Sequence, residues 1–361
     1  MRKLASIRRV GDIFPIEGRD RIELAMIDGW SVIVKKDEFK TGDLCVYCEI
    51  DSVLPQKPEF EFLRSKNFRI KTMKMAGVIS QGICFPTSIL PEGKYEFDQD
   101  VTEIIGVTQY EPTMDKEPNS TQKVASKSKY PKWLMRWKWF RNLVRKKDGG
   151  KESRGFPSFV SKTDETRIQN APFYLNMNVP WCVTEKVDGQ SGTFALVKHR
   201  RLFGTKYEFI VCSRNLRLFS NDGSNYWKVA EKYHLESVLR DMLNKSGYQW
   251  IAMQGEIIAS NVQGNKYKVS EPDLYVFNLI YPNGRVGSVV GKNSVAPYGI
   301  KWVPIIEESA MLPSTVAEML EYAHGDSALG HTIREGVVCR TIDGKHSFKA
   351  VDPLFLIKYD A

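Results

Sequence analysis

The chain has 361 residues, of which 42% are hydrophobic and 26% charged, and its formal net charge is +9. This is the balance of an ordinary globular protein with room for about two domains, and no run of ~18 apolar residues marks a membrane-spanning helix. The basic excess suits a polyanionic partner, nucleic acid or a membrane surface. The first residues, Met1-Arg-Lys-Leu-Ala-Ser-Ile-Arg-Arg9, are basic but lack the apolar core of a secretory signal. A reducing compartment, cytoplasm or nucleus, is therefore expected.

Residues 1–110 read as short strands punctuated by turns. Trp30-Ser-Val-Ile-Val-Lys35 and Asp43-Leu-Cys-Val-Tyr-Cys-Glu-Ile50 are rich in β-branched and aromatic residues. Gly77-Val-Ile-Ser-Gln-Gly-Ile-Cys-Phe85 is a third such segment, interrupted at Gly82. Turns fall at Asp28-Gly29, Thr41-Gly42-Asp43 and Pro91-Glu92-Gly93. The spacing predicts a small β-barrel of OB type, with an SH3-like barrel as the alternative. Cys45 and Cys48 form a lone C-x-x-C inside a strand. With no second pair at zinc spacing, they predict buried thiols.

Residues 111–154 read as a linker that ends in a basic amphipathic helix. Trp133, Leu134, Trp137 and Phe140 recur at helical spacing among Lys132, Arg136, Lys138, Arg141 and Arg145. Its apolar side suits docking on a neighbouring domain and its cations suit phosphates.

Residues 155–361 mix strands and helices without regular alternation, which predicts an α+β domain. Trp181-Cys-Val-Thr-Glu185 and Gly336-Val-Val-Cys-Arg340 read as strands, and residues 226–243 as one helix. Phe277 is expected to share a strand face with Tyr275 and Leu279.

Chemistry concentrates in Thr184-Glu-Lys-Val-Asp-Gly-Gln190, where a lysine follows an apolar strand and a turn follows the lysine. Lys186 and Asp188 point the same way in an extended chain, and Gly189 is free to take a turn conformation. A free lysine, with a pKa near ~10.4, is a poor nucleophile at neutral pH unless nearby cations lower that value. K-x-D-G alone recurs by chance. Its company is more specific: Ser213-Arg-Asn215, Gln254-Gly-Glu256, Leu274-Tyr-Val-Phe-Asn278, Arg334-Glu-Gly-Val-Val338 and Ser347-Phe-Lys349 follow in order. Together they supply a nucleophile, carboxylates, cations for phosphates and a ring to stack on a base.

This ordered set resembles motifs I, Ia, III, IIIa, IV and V of the covalent nucleotidyltransferases. It is most similar to RNA ligase family five, nick-sealing RNA ligases with an N-terminal OB domain. Asp28-Gly-Trp30, Phe39-Lys-Thr-Gly-Asp43, Gly77-Val-Ile-Ser-Gln-Gly82 and Thr163-Asp-Glu-Thr-Arg167 extend the resemblance over most of the chain. The resemblance implies an OB-type barrel over 1–110, a basic linker over 111–154, and over 155–361 an adenylation domain of antiparallel sheets flanked by helices. It implies Lys186 as the acceptor of AMP from ATP. Glu185, Arg214, Phe277 and Lys349 would meet the nucleotide, with Phe277 stacked on adenine and Lys349 at the α-phosphate. Asp188, Glu256 and Glu335 would hold Mg²⁺ or Mn²⁺, largely through its waters.

The implied partner is a nicked duplex with an RNA 3′-hydroxyl end, met by a monomer away from any membrane. Related ligases often carry Lys-x-Lys in motif V. Here Ser347 stands at the first position, and Lys345 or Lys358 is the expected substitute. A capping-type guanylyltransferase using GTP is one alternative. Capping enzymes carry an OB domain after motif V, and too few residues follow Lys349 for one. A non-catalytic RNA-binding protein with a ligase-like fold is the other, against which the intact set of charged residues argues.

Overall fold

The computed structural model describes residues 3–110, 155–201, 204–218 and 221–359. The basic helix expected within 111–154 lies outside the described residues. The residues on either side of that segment fold together as one compact unit.

The first part is built on a five-stranded antiparallel sheet. Strands β1 (Ala5–Pro15), β2 (Ile22–Ile27), β3 (Trp30–Lys35), β4 (Leu44–Cys48) and β8 (Ile83–Pro86) lie in the order β3-β2-β1-β4-β8. Two short pairs complete it: β5 (Ser52–Val53) with β9 (Thr108–Gln109), and β6 (Thr72–Met75) with β7 (Val78–Gln81). Period-two alternation in Trp30–Lys35 buries Trp30, Val32 and Val34 and turns Ser31 and Ile33 outward. The expected break at Gly82 is present. This residue takes φ 97°, and a Cβ there would meet the Tyr47 ring at 2.3 Å. Cys45, Cys48 and Cys84 are free and buried in this core.

The second part has two sheets. One contains β10 (Trp181–Glu185), β18 (Ile305–Ala310), β19 (Gly336–Thr341) and β20 (Ser347–Val351), in the order β18-β10-β19-β20. The other contains β11 (Gln190–Arg200), β12 (Thr205–Cys212), β13 (Arg217–Leu218), β14 (Trp250–Ile258), β15 (Asp273–Tyr281), β16 (Gly284–Arg285) and β17 (Lys301–Trp302). Its order is β13-β12-β11-β14-β15-β16, with β17 joined to β15. Both sheets are antiparallel throughout except where β17 runs parallel to β15. Each sheet has its own core. Trp181, Val183, Val337, Cys339 and Phe348 fill one, and Phe194, Leu196, Met253, Leu274, Val276 and Leu279 fill the other. The α+β expectation holds. Among the described residues no helix is long and apolar enough to cross a membrane.

Two local expectations need correction. The single helix expected over 226–243 is two, Asn225–Lys232 and Leu235–Ser246. The chain turns between them at His234, whose φ of 48° is left-handed and incompatible with a continuing helix. Leu279 also does not share a face with Phe277. The β14–β15 register shifts between Val276 and Asn278, so Phe277 sits in a bulge. Leu274 and Val276 before it and Leu279 after it then enter the same core.

The barrel is tied to the second part through residues 167–170. Buried Trp30 donates its indole N–H to Asn170 Oδ1 at 2.8 Å, and Asn170 Nδ2 donates to Glu49 Oε1 at 2.7 Å. Arg167 Nη2 meets Asp51 Oδ2 at 2.9 Å. Hydrogen-bonded polar groups make this junction geometrically specific as well as apolar.

Candidate active site

Strand β10, interior to its sheet, ends at Glu185, so Lys186 follows directly from the end of a strand paired on both sides, and its backbone stays fixed. Lys186 N–H donates to the Gly336 carbonyl at 2.9 Å. Gly336 is required at that point: with φ 148°, a Cβ there would lie 2.2 Å from the Ala350 oxygen. The close approach of β19 and β20 brings Glu335 to the nucleophile candidate. Lys186 Nζ lies 2.5 Å from Glu335 Oε2, with the two side chains 25% and 14% exposed.

The loop after Lys186 is held from the other sheet. Glu256, on β14, accepts the Gly189 N–H at 3.1 Å. Gly189 is needed for close packing rather than for a left-handed turn, since a Cβ there would lie 2.5 Å from the Ile257 oxygen and its φ is not positive. The Asp188 N–H donates to the Tyr267 hydroxyl at 2.9 Å, and Asp188 Oδ2 lies 2.5 Å from Lys266 Nζ.

Asp188, Glu256 and Glu335 thus share a neighbourhood with Lys186, and their charges act on one another. Burial pushes the Glu256 carboxyl up to about 8, with Glu335 and Asp188 adding to the effect against Lys186. Burial, then Glu335, raises Asp188 to about 6 against the pull of Lys266. For Lys186, burial acts to lower the pKa, but Glu335, Glu256 and Asp188 together outweigh it and leave the ammonium above its usual range. An excess of oxygen anions in one place suits a hard divalent cation. Among the described residues no three His, Cys, Asp or Glu side chains form a group that would ligate one ion directly.

Lys349 comes from β20, where it pairs with Val338 of β19, itself opposite Thr184 of β10. Its ammonium lies 2.9 Å from Asp164, and Arg214 stands 3.7 Å from the same residue. Burial lowers Lys349 to about 8 against Asp164, with Arg167 and Lys186 lowering it further. Arg214 also acts electrostatically on Glu256, which puts it on the rim of the same site.

Glu185 is turned elsewhere. Its carboxylate accepts from Ser327 Oγ at 2.5 Å and Ala328 N–H at 2.9 Å, and burial raises its pKa. Phe277 is half-buried, with the Arg340 guanidinium 5.8 Å from its ring centroid.

The sequence reading missed several participants. Lys266 and Tyr267 lie in a loop without strand or helix periodicity, so no pattern marked them. Glu165 lies within the segment Thr163-Asp-Glu-Thr-Arg167, where its position alone gives no sign of a partner. It accepts from Arg285 Nη1 at 3.1 Å, Arg340 Nη2 at 3.3 Å and Ser347 Oγ at 2.5 Å. Arg285 Nη2 donates to Ser347 at 2.8 Å, so the cation beside Ser347 comes from β16. Lys345 is 76% exposed and pairs with Asp343, and Lys358 lies on the helix Pro353–Tyr359.

Residues 4–87 match a family described as an OB-fold domain, and residues 179–359 match one described as RNA ligase. The chain is similar to the Naegleria gruberi RNA ligase with PPi, at 31% identity and a TM-score of 0.79, covering 100% of this chain and 99% of that one. A lysine-to-alanine mutant of the Naegleria gruberi ligase with ATP and Mn gives 31% identity and a TM-score of 0.80 over 99% of both chains. A glutamate-to-alanine mutant with AMP and Mn gives 31% and 0.79 over the same shares. No curated protein sequence matches.

Proposed function

Because the chain belongs to the RNA ligase family, we propose that it is an ATP-dependent enzyme that seals nicks in duplexes, joining an RNA 3′-hydroxyl end to a 5′-phosphate through a lysyl-AMP intermediate. One observation carries the assignment of the nucleophile: Lys186 lies 2.5 Å from Glu335 and feels the charges of Glu256 and Asp188.

In the first step Lys186 Nζ, having given up its proton, attacks the α-phosphorus of ATP. A phosphorus–nitrogen bond forms and pyrophosphate leaves. In the second, an oxygen of the nucleic acid 5′-phosphate attacks that phosphorus and Lys186 is released. In the third, the 3′-hydroxyl attacks the 5′-phosphate, loses its proton and expels AMP. Transfers at phosphorus depend mainly on positioning and charge, which this site supplies from two facing sheets.

Asp188, Glu256 and Glu335 would hold Mg²⁺ or Mn²⁺ through its waters, which fits an oxygen-only donor set that does not converge on one point. Bound there, the ion supplies positive charge that offsets the α-phosphate and favours unprotonated Lys186. Lys349 would meet the α-phosphate as charge develops, with Arg214 at ribose or phosphate. Phe277 would stack on adenine, and Glu185, whose carboxylate is taken up by Ser327 and the Ala328 N–H, would support the nucleotide site only indirectly. The OB part over 1–110 and the linker over 111–154 would hold the duplex beside the domain spanning 155–361. We place the enzyme, as a monomer, in the cytoplasm or nucleus.

The test is sealing of a nicked duplex whose 3′-hydroxyl strand ends in a ribonucleotide or a deoxyribonucleotide. Preferential sealing of the ribonucleotide end is expected. Equal sealing of both would contradict the requirement for an RNA 3′-hydroxyl, and joining of single strands alone would contradict the nick-sealing reading.

A further inference from the structure

Lys266 belongs to none of the segments that carry the resemblance, yet its ammonium lies 2.5 Å from Asp188 Oδ2. Both side chains are largely withdrawn from water, 12% and 13% exposed. The same ammonium donates to the Gln263 carbonyl at 3.0 Å. It also faces the rings of Phe355 at 5.4 Å and Tyr359 at 5.1 Å, both on the helix Pro353–Tyr359.

The loop that delivers Lys266 is tightly specified. Gln263, Asn265 and Lys268 adopt left-handed φ values of 47°, 49° and 52°. The Asn265 side chain bonds both the N–H and the carbonyl of Val269. Tyr267, the next residue, takes the Asp188 N–H. The loop therefore grips Asp188 at backbone and carboxylate together.

The charges give this grip a meaning. Three carboxylates share the site, and Lys186 compensates Glu335 directly. Asp188 is withdrawn from water and needs a cation of its own, because a buried charge without a partner is strongly unfavourable. Lys266 supplies it. A divalent ion with its water shell would supply the same compensation, and the two cations compete for one carboxylate.

We propose that Lys266 is a placeholder cation. It holds Asp188 positioned and charge-balanced in the metal-free enzyme and yields that carboxylate when a divalent ion enters. The Gln263 carbonyl and the faces of Phe355 and Tyr359 keep the displaced ammonium close. This rests on the reading of Asp188 as part of the ion's site.

The experiment measures Mn²⁺ binding to the full chain, without nucleotide, from the loss of the free-ion electron paramagnetic resonance signal. Lys266→Met and Lys266→Gln are both expected to bind Mn²⁺ about tenfold more tightly than the wild type, since each removes a competing unit charge at contact distance. Lys266→Arg, which keeps the charge, is expected to stay within about threefold of the wild type. In an Asp188→Asn background, Lys266→Met is expected to change nothing further. The proposal is overturned if either neutral variant, shown by circular dichroism to be folded, binds no more tightly than the wild type. It is equally overturned if neither wild type nor variants bind the ion. Weaker binding on Asp188→Asn together with no tightening on Lys266→Met sinks the placeholder alone. Unchanged binding in Asp188→Asn, Glu256→Gln and Glu335→Gln sinks the metal-site reading beneath it.

Discussion

Two ionic clusters lie along β10 and the residue that follows it, and they are built in opposite ways. One is at the row Cys182–Arg340–Ser347; the other surrounds Lys186, four residues on, or about 13 Å at ~3.3 Å per residue. In the first, Glu165 is fixed by two guanidinium groups and a hydroxyl. Burial pushes the Glu165 carboxyl up, but Arg340, Arg285 and Ser347 outweigh it and hold it below the usual carboxylate range. In the second, three carboxylates face two lysines, and burial raises Asp188 and Glu256 instead. Guanidinium forks make directional, permanent contacts, whereas a lysine ammonium is a mobile point charge. One cluster is arranged to stay as it is. The other leaves negative charge for an arriving cation to satisfy.

The largest contrast is expected when each cluster loses a carboxylate. Glu335→Gln should lower AMP labelling of the protein by at least about a hundredfold, through loss of charge stabilisation at the reacting phosphate. Its melting temperature should hold or rise, because one of three mutually repelling carboxylates is gone. Labelling near the wild-type level in a single-turnover assay would remove Glu335 from the chemistry.

Glu165→Gln should do the reverse. Removing the anion leaves Arg340, 3% exposed, and Arg285 without their partner. That should cost about 3 kcal/mol of stability and lower the melting temperature by about 6 °C or more. An unchanged calorimetric transition would mean that the cluster does not stabilise the fold.

A smaller effect concerns Lys349, between the two clusters. Its pKa is lowered to about 8, so it is charged below that pH and progressively neutral above it. If its charge meets the α-phosphate, the rate of AMP labelling should bend downward as pH rises through about 8. Lys349→Arg, which stays charged, should be slower but show no such bend. The same alkaline bend in both proteins would assign it to another group.

Much of this was legible in the sequence, and the limits have physical causes. Period-two strands such as Trp30–Lys35 showed themselves because one face is buried. The order of the motif segments anticipated that Lys186, Asp188, Glu256, Glu335 and Lys349 would gather. The break at His234 was hidden, since apolar positions continue at helical spacing across it. The bulge at Phe277 was hidden because strand alternation assumes an unbroken register. Lys266 and Arg285 were invisible as site residues because only tertiary packing brings their loop and short strand beside Asp188 and Ser347. The missing lysine at Ser347 looked like a gap in charge, but an arginine from the facing sheet stands there instead.

The most direct test of the central claim is incubation of the protein with α-labelled ATP or GTP and Mg²⁺, with Lys186→Ala alongside. Label from ATP on the wild type, and none on the variant, is the predicted result. Label that persists on Lys186→Ala, or that comes from GTP and not ATP, would contradict it.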